Sequence, residues 1–596
     1  MKHLTKILAL SACAVLAITG FAGCNGDGGR GNWDGTVDTS KDGSAYDAAE
    51  DENVKSISIF KNDWDQFNTA IKGNSPIYKK IKDKIGVELE CLNTGGKFEA
   101  QLSIMQAEGD LPDIFLTNGP DNVEFFDRLI RNGDILPITD WVNEEHYPNI
   151  YNHLKKYEYL RYNLTYGQGK AWFIPSTWHN EKSLYVRQDW VDNLNKKLDD
   201  CLVKEGVVAS VSEITPAIRE EWQYKAPTNL LEFYRLARAF TLYDPDGNGQ
   251  NDTCGYISES NKDMDAWVYA AFGASWNEFM LNEETGEYIH GDVSDNAKYA
   301  TQFVTRLITE GYMSVDSLNG DVGGKQDKFS AGNAGMMYAH NWLNVIVSNI
   351  LSVNKGLTVE EATAKVTLVA PPVGKDNTFY TKISGGFWQG FCINANSSKA
   401  RIRKCLELYD YLLSDEGYDI LQYGIEGEHY TVENDKRVST LEVGTDGIIK
   451  GLQSCDTASM LYALVDWTMH YRITNGTNSD IICPRQTESE ALFEPADYPW
   501  LQTTAVVEKL DSCHDLFLEE ISVLEKNEGS RYYKAQDSNY NPKTFGWDDL
   551  YKTTTNFDKH WKTFVDRYMS AGGTAMFQEY NDYIASGKAL KVEHKI

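Results

Sequence analysis

The sequence predicts an α/β protein of more than one lobe, on three observations. Apolar residues alternate with a period of two in Val54–Phe60 and Val87–Leu92, turn helical around Pro76–Ile85 and Glu99–Ala107, and return as the run Ile114–Leu116. Strand, helix, strand, helix, strand is the rhythm of a sheet with crossover helices. The later chain keeps mixing both periods, with helical spacing in Leu230–Phe240 and Ile402–Leu413 and strand-like runs at Val366–Val369 and Phe391–Ile393. Finally, 596 residues exceed what one hydrophobic core supports.

The first residues have a different character. Lys2 and Lys6 precede an apolar run from Ile7 to Ile18, followed by Phe21-Ala22-Gly23-Cys24. The run is too short to span a bilayer, and a small-small-Cys ending is where a lipoprotein leader is cut and its cysteine acylated. Residues 1–23 are therefore read as a signal peptide and Cys24 as a lipid anchor on the outer face of the cell membrane. Residues 24–53 are Gly, Asp, Ser and Asn with almost no aliphatic side chains, a flexible tether.

Loss of Lys2 and Lys6 takes the formal charge from −30 to −32. Such acidity disfavours nucleic acid and anionic membrane as partners. Eight cysteines remain beyond Cys24, sparse and without metal-like spacing, which reads as buried apolar residues rather than a disulfide framework. The segment Lys196–Tyr224 reads as an acidic insertion ahead of a helix opened by Pro227-Thr228.

One motif points to a metal. Asp244-Pro245-Asp246-Gly247-Asn248-Gly249-Gln250-Asn251-Asp252 places oxygen side chains at positions 1, 3, 5 and 9 of a calcium loop, with Gly at 6 and the Gln250 carbonyl at 7. Position 12 is Gly255, so the usual bidentate carboxylate is missing. A structural calcium held by Asp244, Asp246, Asn248, Gln250 and Asp252 is expected. No Gly-x-Ser-x-Gly, His-Glu-x-x-His or phosphate loop occurs, which argues against an enzyme.

Several phrases together resemble the bacterial extracellular solute-binding proteins of family 1, the receptors of sugar ABC importers, and among them the long LplA-like and alginate-binding lipoproteins. They are Gly109-Asp110-Leu111-Pro112-Asp113-Ile114-Phe115, Ile174-Pro175 before Leu184-Tyr185-Val186-Arg187-Gln188-Asp189-Trp190, and Pro227-Thr228 before Glu232-Phe233. Phe329-Ser330-Ala331-Gly332-Asn333-Ala334-Gly335-Met336, Leu413-Ser414-Asp415-Glu416-Gly417-Tyr418 and Tyr423-Gly424-Ile425-Glu426-Gly427-Glu428-His429-Tyr430 follow in order. The resemblance implies a two-lobed clamshell of the type II periplasmic-binding-protein fold, with discontinuous lobes and a hinge. Residues 54–172 plus 388–445 would form lobe one and 180–380 plus 446–596 lobe two, with crossings near Phe173–Trp178 and Ser384–Trp388. It also implies a monomer that captures an oligosaccharide and delivers it to an ABC permease. Related proteins carry a calcium loop with an acidic residue after the last aspartate, where this chain has Thr253.

Sugars need aromatic planes for their C–H faces and carboxylates, amides or guanidinium groups for their hydroxyls. Asn62, Asp63 and Trp64 follow the first strand and Thr117 and Asn118 the third, at carboxyl ends where open α/β sheets bind ligands. The resemblance adds Trp178, His179, Trp342, Phe387 and Trp388, with Tyr338, Asn341 and Gln389 as polar neighbours. Arg187 and Asp189 read as structural, the arginine paired locally and the aspartate capping a helix. Two alternatives stay open, a secreted glycan-active enzyme using Glu426 or Glu428 and a non-transporting glycan adhesin.

Overall fold

The computed structural model describes residues 53–61, 75–92, 98–117, 123–156, 170–177, 182–258, 266–277, 279–314, 317, 322–340, 343–379, 387–442, 451–466, 469, 513, 516, 519 and 540–586. Its strands are β1 (Ser56–Phe60), β2 (Glu88–Leu92), β3 (Ile114–Thr117), β4 (Ile174–Thr177), β5 (Lys182–Arg187), β6 (Cys254–Ser258), β7 (Phe279–Leu281), β8 (Tyr288–His290), β9 (Ala334–His340), β10 (Val366–Val369), β11 (Phe387–Ile393), β12 (Tyr430–Glu433) and β13 (Lys436–Ser439). They form a five-stranded sheet ordered β2-β1-β3-β11-β4, a four-stranded sheet ordered β10-β5-β9-β6, and the hairpins β7-β8 and β12-β13.

In the first sheet β1 runs parallel to β2 and β3, and β11 enters antiparallel between β3 and β4. Its core gathers Ile57, Ile59, Ile114 and Leu116 with Leu102, Leu129 and Ile150 from the crossover helices, and Phe391, Ile402, Leu406 and Leu421 from far along the chain. The helix Pro76–Ile85 shows why its sequence folds as it does. Ser75 caps it by accepting from the Tyr78 N–H at 2.9 Å, Pro76 stands at its first turn, and Ile77, Ile81 and Ile85 bury one face.

The second sheet is covered on both faces. Along β9, Met336 and Tyr338 join one core with Phe233, Phe240 and Trp267, while Met337 and Ala339 join another with Phe329, Leu343 and Ile346, the alternation a strand requires. Gly335 permits a close approach, since a Cβ there would meet the Phe240 ring at 2.1 Å.

Four expectations shift. Residues 452–469 pack Leu452, Leu461, Tyr462, Leu464 and Met469 into the first core, not with the second lobe. Ile174–Thr177 and Phe387–Trp388 are strand residues of the first sheet, so the crossings lie beyond Thr177 and before Phe387. The helix expected to open at Pro227-Thr228 begins at Leu230, because the Asn229 carboxamide accepts from the Leu231 and Glu232 N–H groups at 3.0 Å each. The acidic insertion carries helices Leu198–Glu205 and Pro216–Trp222 and lays Cys201, Leu202, Val207 and Tyr224 into the second core. The seven described cysteines form no disulfide; Cys201, Cys392, Cys405 and Cys513 are buried as expected, whereas Cys91 and Cys254 are half-buried and Cys455 is exposed, and Cys483 lies outside the described residues.

Asp113 ties the first sheet to its return segment. Its carboxylate accepts from the Ser58 N–H at 2.8 Å and hydroxyl at 2.9 Å, from Ser397 Oγ at 2.7 Å, and from Arg401 Nε at 2.7 Å and Nη2. Burial alone would raise this carboxyl, but the bonds from Arg401, Ser58 and Ser397 outweigh it and hold it below the usual carboxylate range. A depressed folded pKa contributes stability that is fully present above the unfolded value near ~3.9 and is lost as pH falls through the folded one. Asp113→Ala is therefore expected to lower unfolding free energy by about 2–4 kcal/mol at pH 7, with the gap to the native chain narrowing below pH ~4. Urea titrations across pH check this, and a gap that widens on acidification would contradict it.

Candidate functional site

Both large sheets present strand ends at one edge. In the first, Thr117 closes β3 opposite Gly390, Thr177 closes β4 opposite Phe387, and β1 runs out beyond Phe60. In the second, Lys182 opens β5 opposite His340, and Ser258 closes β6 opposite Tyr338. Only residues 178–181 separate β4 from β5. Five steps of about 3.8 Å bridge at most about 19 Å, so this crossing holds one edge near the other. A cleft between strand ends is where α/β folds bind ligands.

The expected binding residues fall at these ends. Asn62, Asp63 and Trp64 follow β1, Asn118 follows β3, Trp178 and His179 follow β4, and Asn341 and Trp342 follow β9; all eight lie outside the described residues, as does Cys24. Thr117, Phe387 and Gln389 are placed by their backbone pairing, which puts Phe387–Gln389 at the start of β11 next to the ends of β3 and β4. Trp388 lies where the β11–β4 register shifts. Tyr338, expected as a polar neighbour, is buried, its ring 6.0 Å from Trp267 in the core that also holds Phe233.

Several edge residues carried no sequence signal. Lys61 is buried directly after β1. Lys325 is buried beneath the end of β6, where its ammonium donates to the Ser317 carbonyl at 3.0 Å and Ser317 Oγ accepts from the Ser258 N–H at 3.0 Å.

Arg187 and Asp189 are structural. Arg187 Nε and Nη2 reach Asp189 at 2.8 and 2.7 Å, Nη1 donates to the Phe329 carbonyl, and the guanidinium stacks on Trp190 at 5.2 Å. Asp189 accepts from the Trp190 N–H at 3.1 Å and from Lys365 at 3.1 Å. Glu426 and Glu428 sit exposed on a turn closed by Gly427 N–H to the Tyr430 carbonyl and by His429 Nδ1, which accepts from the Ile425 N–H at 3.0 Å. Burial first lowers the pKa of His429, and that bond uses the lone pair of its neutral ring.

The Asp244–Asp252 loop joins helix Leu230–Leu242 to β6. Positive φ at Asp244, Gly247 and Gly249 curls it tightly. Asn248 Nδ2 donates to Asp246 at 2.9 Å and Asp252 at 3.1 Å, and Asp244 Oδ1 accepts from the Gly249 N–H at 3.2 Å. Burial and then Asp244 and Asp252 raise the pKa of Asp246, the mark of carboxylates gathered with too little positive charge. Lys197 offsets part of it, 3.8 Å from Asp244. The donor set fits a hard cation in kind. Among the described residues, however, no three His, Cys, Asp or Glu side chains are arranged to hold a metal, and the Asn248 amide stands between the carboxylates.

A family model described as bacterial extracellular solute-binding protein matches residues 66–418. The chain belongs to that family. Its curated relatives include the polygalacturonan/rhamnogalacturonan-binding protein YtcQ of Bacillus subtilis, 25% identical over 501 residues covering 82% of this chain and 84% of that one. Among solved structures, FusA of Streptococcus pneumoniae in complex with kestose aligns with a TM-score of 0.54 at 14% identity, over 89% of this chain and 100% of that one. The alginate-binding protein AlgQ2 without calcium ion aligns at 0.50 and 16% identity, over 88% and 97%. Such likeness shows the shared two-lobed α/β fold. In this solute-binding protein the family phrases do structural work: Asp113 clamps β1 to the return helix, and Ser414 caps helix Asp415–Tyr423 by accepting from the Gly417 N–H at 3.2 Å.

Proposed function

We propose that this chain is the ligand-capturing component of a carbohydrate ABC importer, binding an oligosaccharide between the two sheet edges and closing over it. The observation that carries the reading is the short β4–β5 crossing, which keeps two rows of strand ends, one in each sheet, within reach of one ligand. Trp342 and Trp388 supply the planes for sugar faces, with Trp64 and Trp178 beside them, and Asn62, Asp63, Asn118, His179, Asn341 and Gln389 meet hydroxyls. The names of YtcQ and FusA's kestose complex support a glycan ligand. Binding, not turnover, is the activity. A micromolar receptor needs about 8 kcal/mol, within reach of a few stacked rings and hydroxyl bonds.

The chain is held at the membrane by a lipid on Cys24, and the monomer docks closed on its permease. A calcium ion in the Asp244–Asp252 loop, with the Asn248 carboxamide turned to present its oxygen, serves stability; a FusA structure described as an EF-hand mutant supports the idea by kinship. Its role is structural, because the loop lies at the start of β6 and the candidate cleft at the end.

A glycan panel that includes fructo-oligosaccharides and oligogalacturonides should raise the melting temperature of the mature protein, since ligand at 100 times its dissociation constant adds about 2.7 kcal/mol. Trp388→Ala should weaken that binding at least about tenfold with folding unchanged. No thermal shift with any glycan would end the transport reading.

Calcium at ten times its dissociation constant should add about 1.4 kcal/mol, lost in Asp252→Ala or with chelator. A melting temperature indifferent to chelator in the native chain rules out the ion. For the anchor, Cys24→Ser should move the protein from the membrane fraction to the medium in cells fed labelled fatty acid; retention of label by the variant argues against Cys24.

A further inference from the structure

Beyond the cleft edge, the first sheet carries a groove of about 630 Å³ between helix Pro148–Lys156 and helix Asp415–Tyr423, with Thr177 and Val465 in its floor. We propose that this groove is a second glycan subsite, one that takes the overhanging end of a neutral oligosaccharide bound in the cleft. The proposal rests on the cleft reading above and adds chain length and charge class to it.

Position comes first. Thr177 lines the groove and is the last residue of β4, opposite Phe387 and directly before Trp178 and His179 in sequence. Its N–H and hydroxyl both donate to the Val465 carbonyl at 3.1 Å, which fixes the floor against the strand end. From β1 to β4 the sheet edge is three strand spacings wide, about 14 Å. A short glycan lies within that width, whereas a longer one runs past β4 and meets the groove.

The wall chemistry is the second step. Asp415 and Asp419 lie one helical turn apart on the same face, with Tyr418 half-buried between them. Asn152 faces them from the other helix. Asn152 and Asp415 are exposed and hold no partner among the described residues. Tyr418, in contrast, is fixed by a hydrogen bond to the Asp466 carboxylate, so its ring is a pre-set plane. A planar ring with an amide on one side and a carboxylate on the other meets the C–H face and the hydroxyls of a sugar unit. Two aspartates at the rim and Asp466 at the floor repel carboxylated sugars, which selects neutral units.

Volume and rigidity agree with this use. The groove falls within the range of ~300–1,000 Å³ typical of small-ligand sites. His153 Nε2 lies 2.9 Å from the Pro175 carbonyl, and Asp410 accepts from the Asn149 and Ile150 N–H groups at 2.8 and 3.1 Å, so the helix bearing Asn152 is pinned to the sheet and to its neighbour.

The test uses the mature, full-length chain and calorimetric titration with size-defined fructo-, galacto- and malto-oligosaccharides of two to eight units, with oligogalacturonides as the acidic series. In the native protein, affinity for the neutral series that binds should keep rising past the trisaccharide. The double variant N152A/D415A should lose about tenfold for the longest members, as expected for two hydroxyl hydrogen bonds, while binding the shortest member and melting as the native chain does. An affinity that levels off by the trisaccharide, a gain confined to the acidic series, or an unchanged length dependence in the double variant would each overturn the subsite while leaving the cleft intact. Failure of the cleft reading looks different: no member of any length binds the native chain.

Discussion

Four residues between β4 and β5 set the terms for the rest of the molecule. A connection this short limits how far the two sheet edges can drift apart, and it leads from one core to another. The return path by β11 reinforces the constraint. That strand inserts between β3 and β4, so the first sheet is complete only after the chain has built most of the second. Each core is therefore closed by segments distant in sequence, and the strand ends that face this crossing are held by both passages.

The stabilising polar contacts follow the same logic. Asp113 links residues of β1 and β3 to the helix after β11, across 288 positions to Arg401. Asp456 reaches back 381 positions to accept from Ser75 Oγ at 2.6 Å, and also takes the Ile77 N–H at 3.1 Å, so the return segment caps the first crossover helix. Asp410 caps helix Pro148–Lys156 in the same fashion. An acidic chain thus spends some of its carboxylates on helix amino ends, where the exposed N–H groups and the helix dipole favour negative charge.

The parts of the fold legible in the sequence are those where period and burial agree. β1, β2 and β3 alternate or run apolar because one or both faces meet a core, and helices such as Leu230–Leu242 show their apolar stripe directly. Residues 457–464 give no local sign of which core they serve, because their 3-10 turns bury residues on several sides without either period. Likewise, Phe387 and Trp388 read as a hinge because they follow Gly385-Gly386, whereas cross-strand pairing with Thr177 makes them sheet. Strand-end reasoning needs only the direction of each strand, so it can propose a candidate edge from the sequence. It could not tell that Tyr338 turns into the core, because that depends on Trp267 from a separate helix.

The Asp244–Asp252 loop is followed by side-chain bonds that anchor the next strand. Thr253 donates its hydroxyl to the Phe240 carbonyl at 2.6 Å, and the Gly255 N–H donates to Thr241 Oγ1 at 3.0 Å. These bonds fasten the start of β6 to the end of helix Leu230–Leu242. Gly255 is required there, as a Cβ would meet the Ala237 carbonyl oxygen at 2.3 Å. The same residue that denies the loop its twelfth-position carboxylate thus lets β6 lie against the helix. Side-chain contacts do by packing what a stronger ion site would do by coordination. An ion held by the remaining oxygens would relieve the charge crowded on Asp246 without being needed to set the register of β6, whose far end, Ser258, is fixed separately by Ser317. Both ends of β6 are therefore fastened by hydrogen bonds of the chain itself.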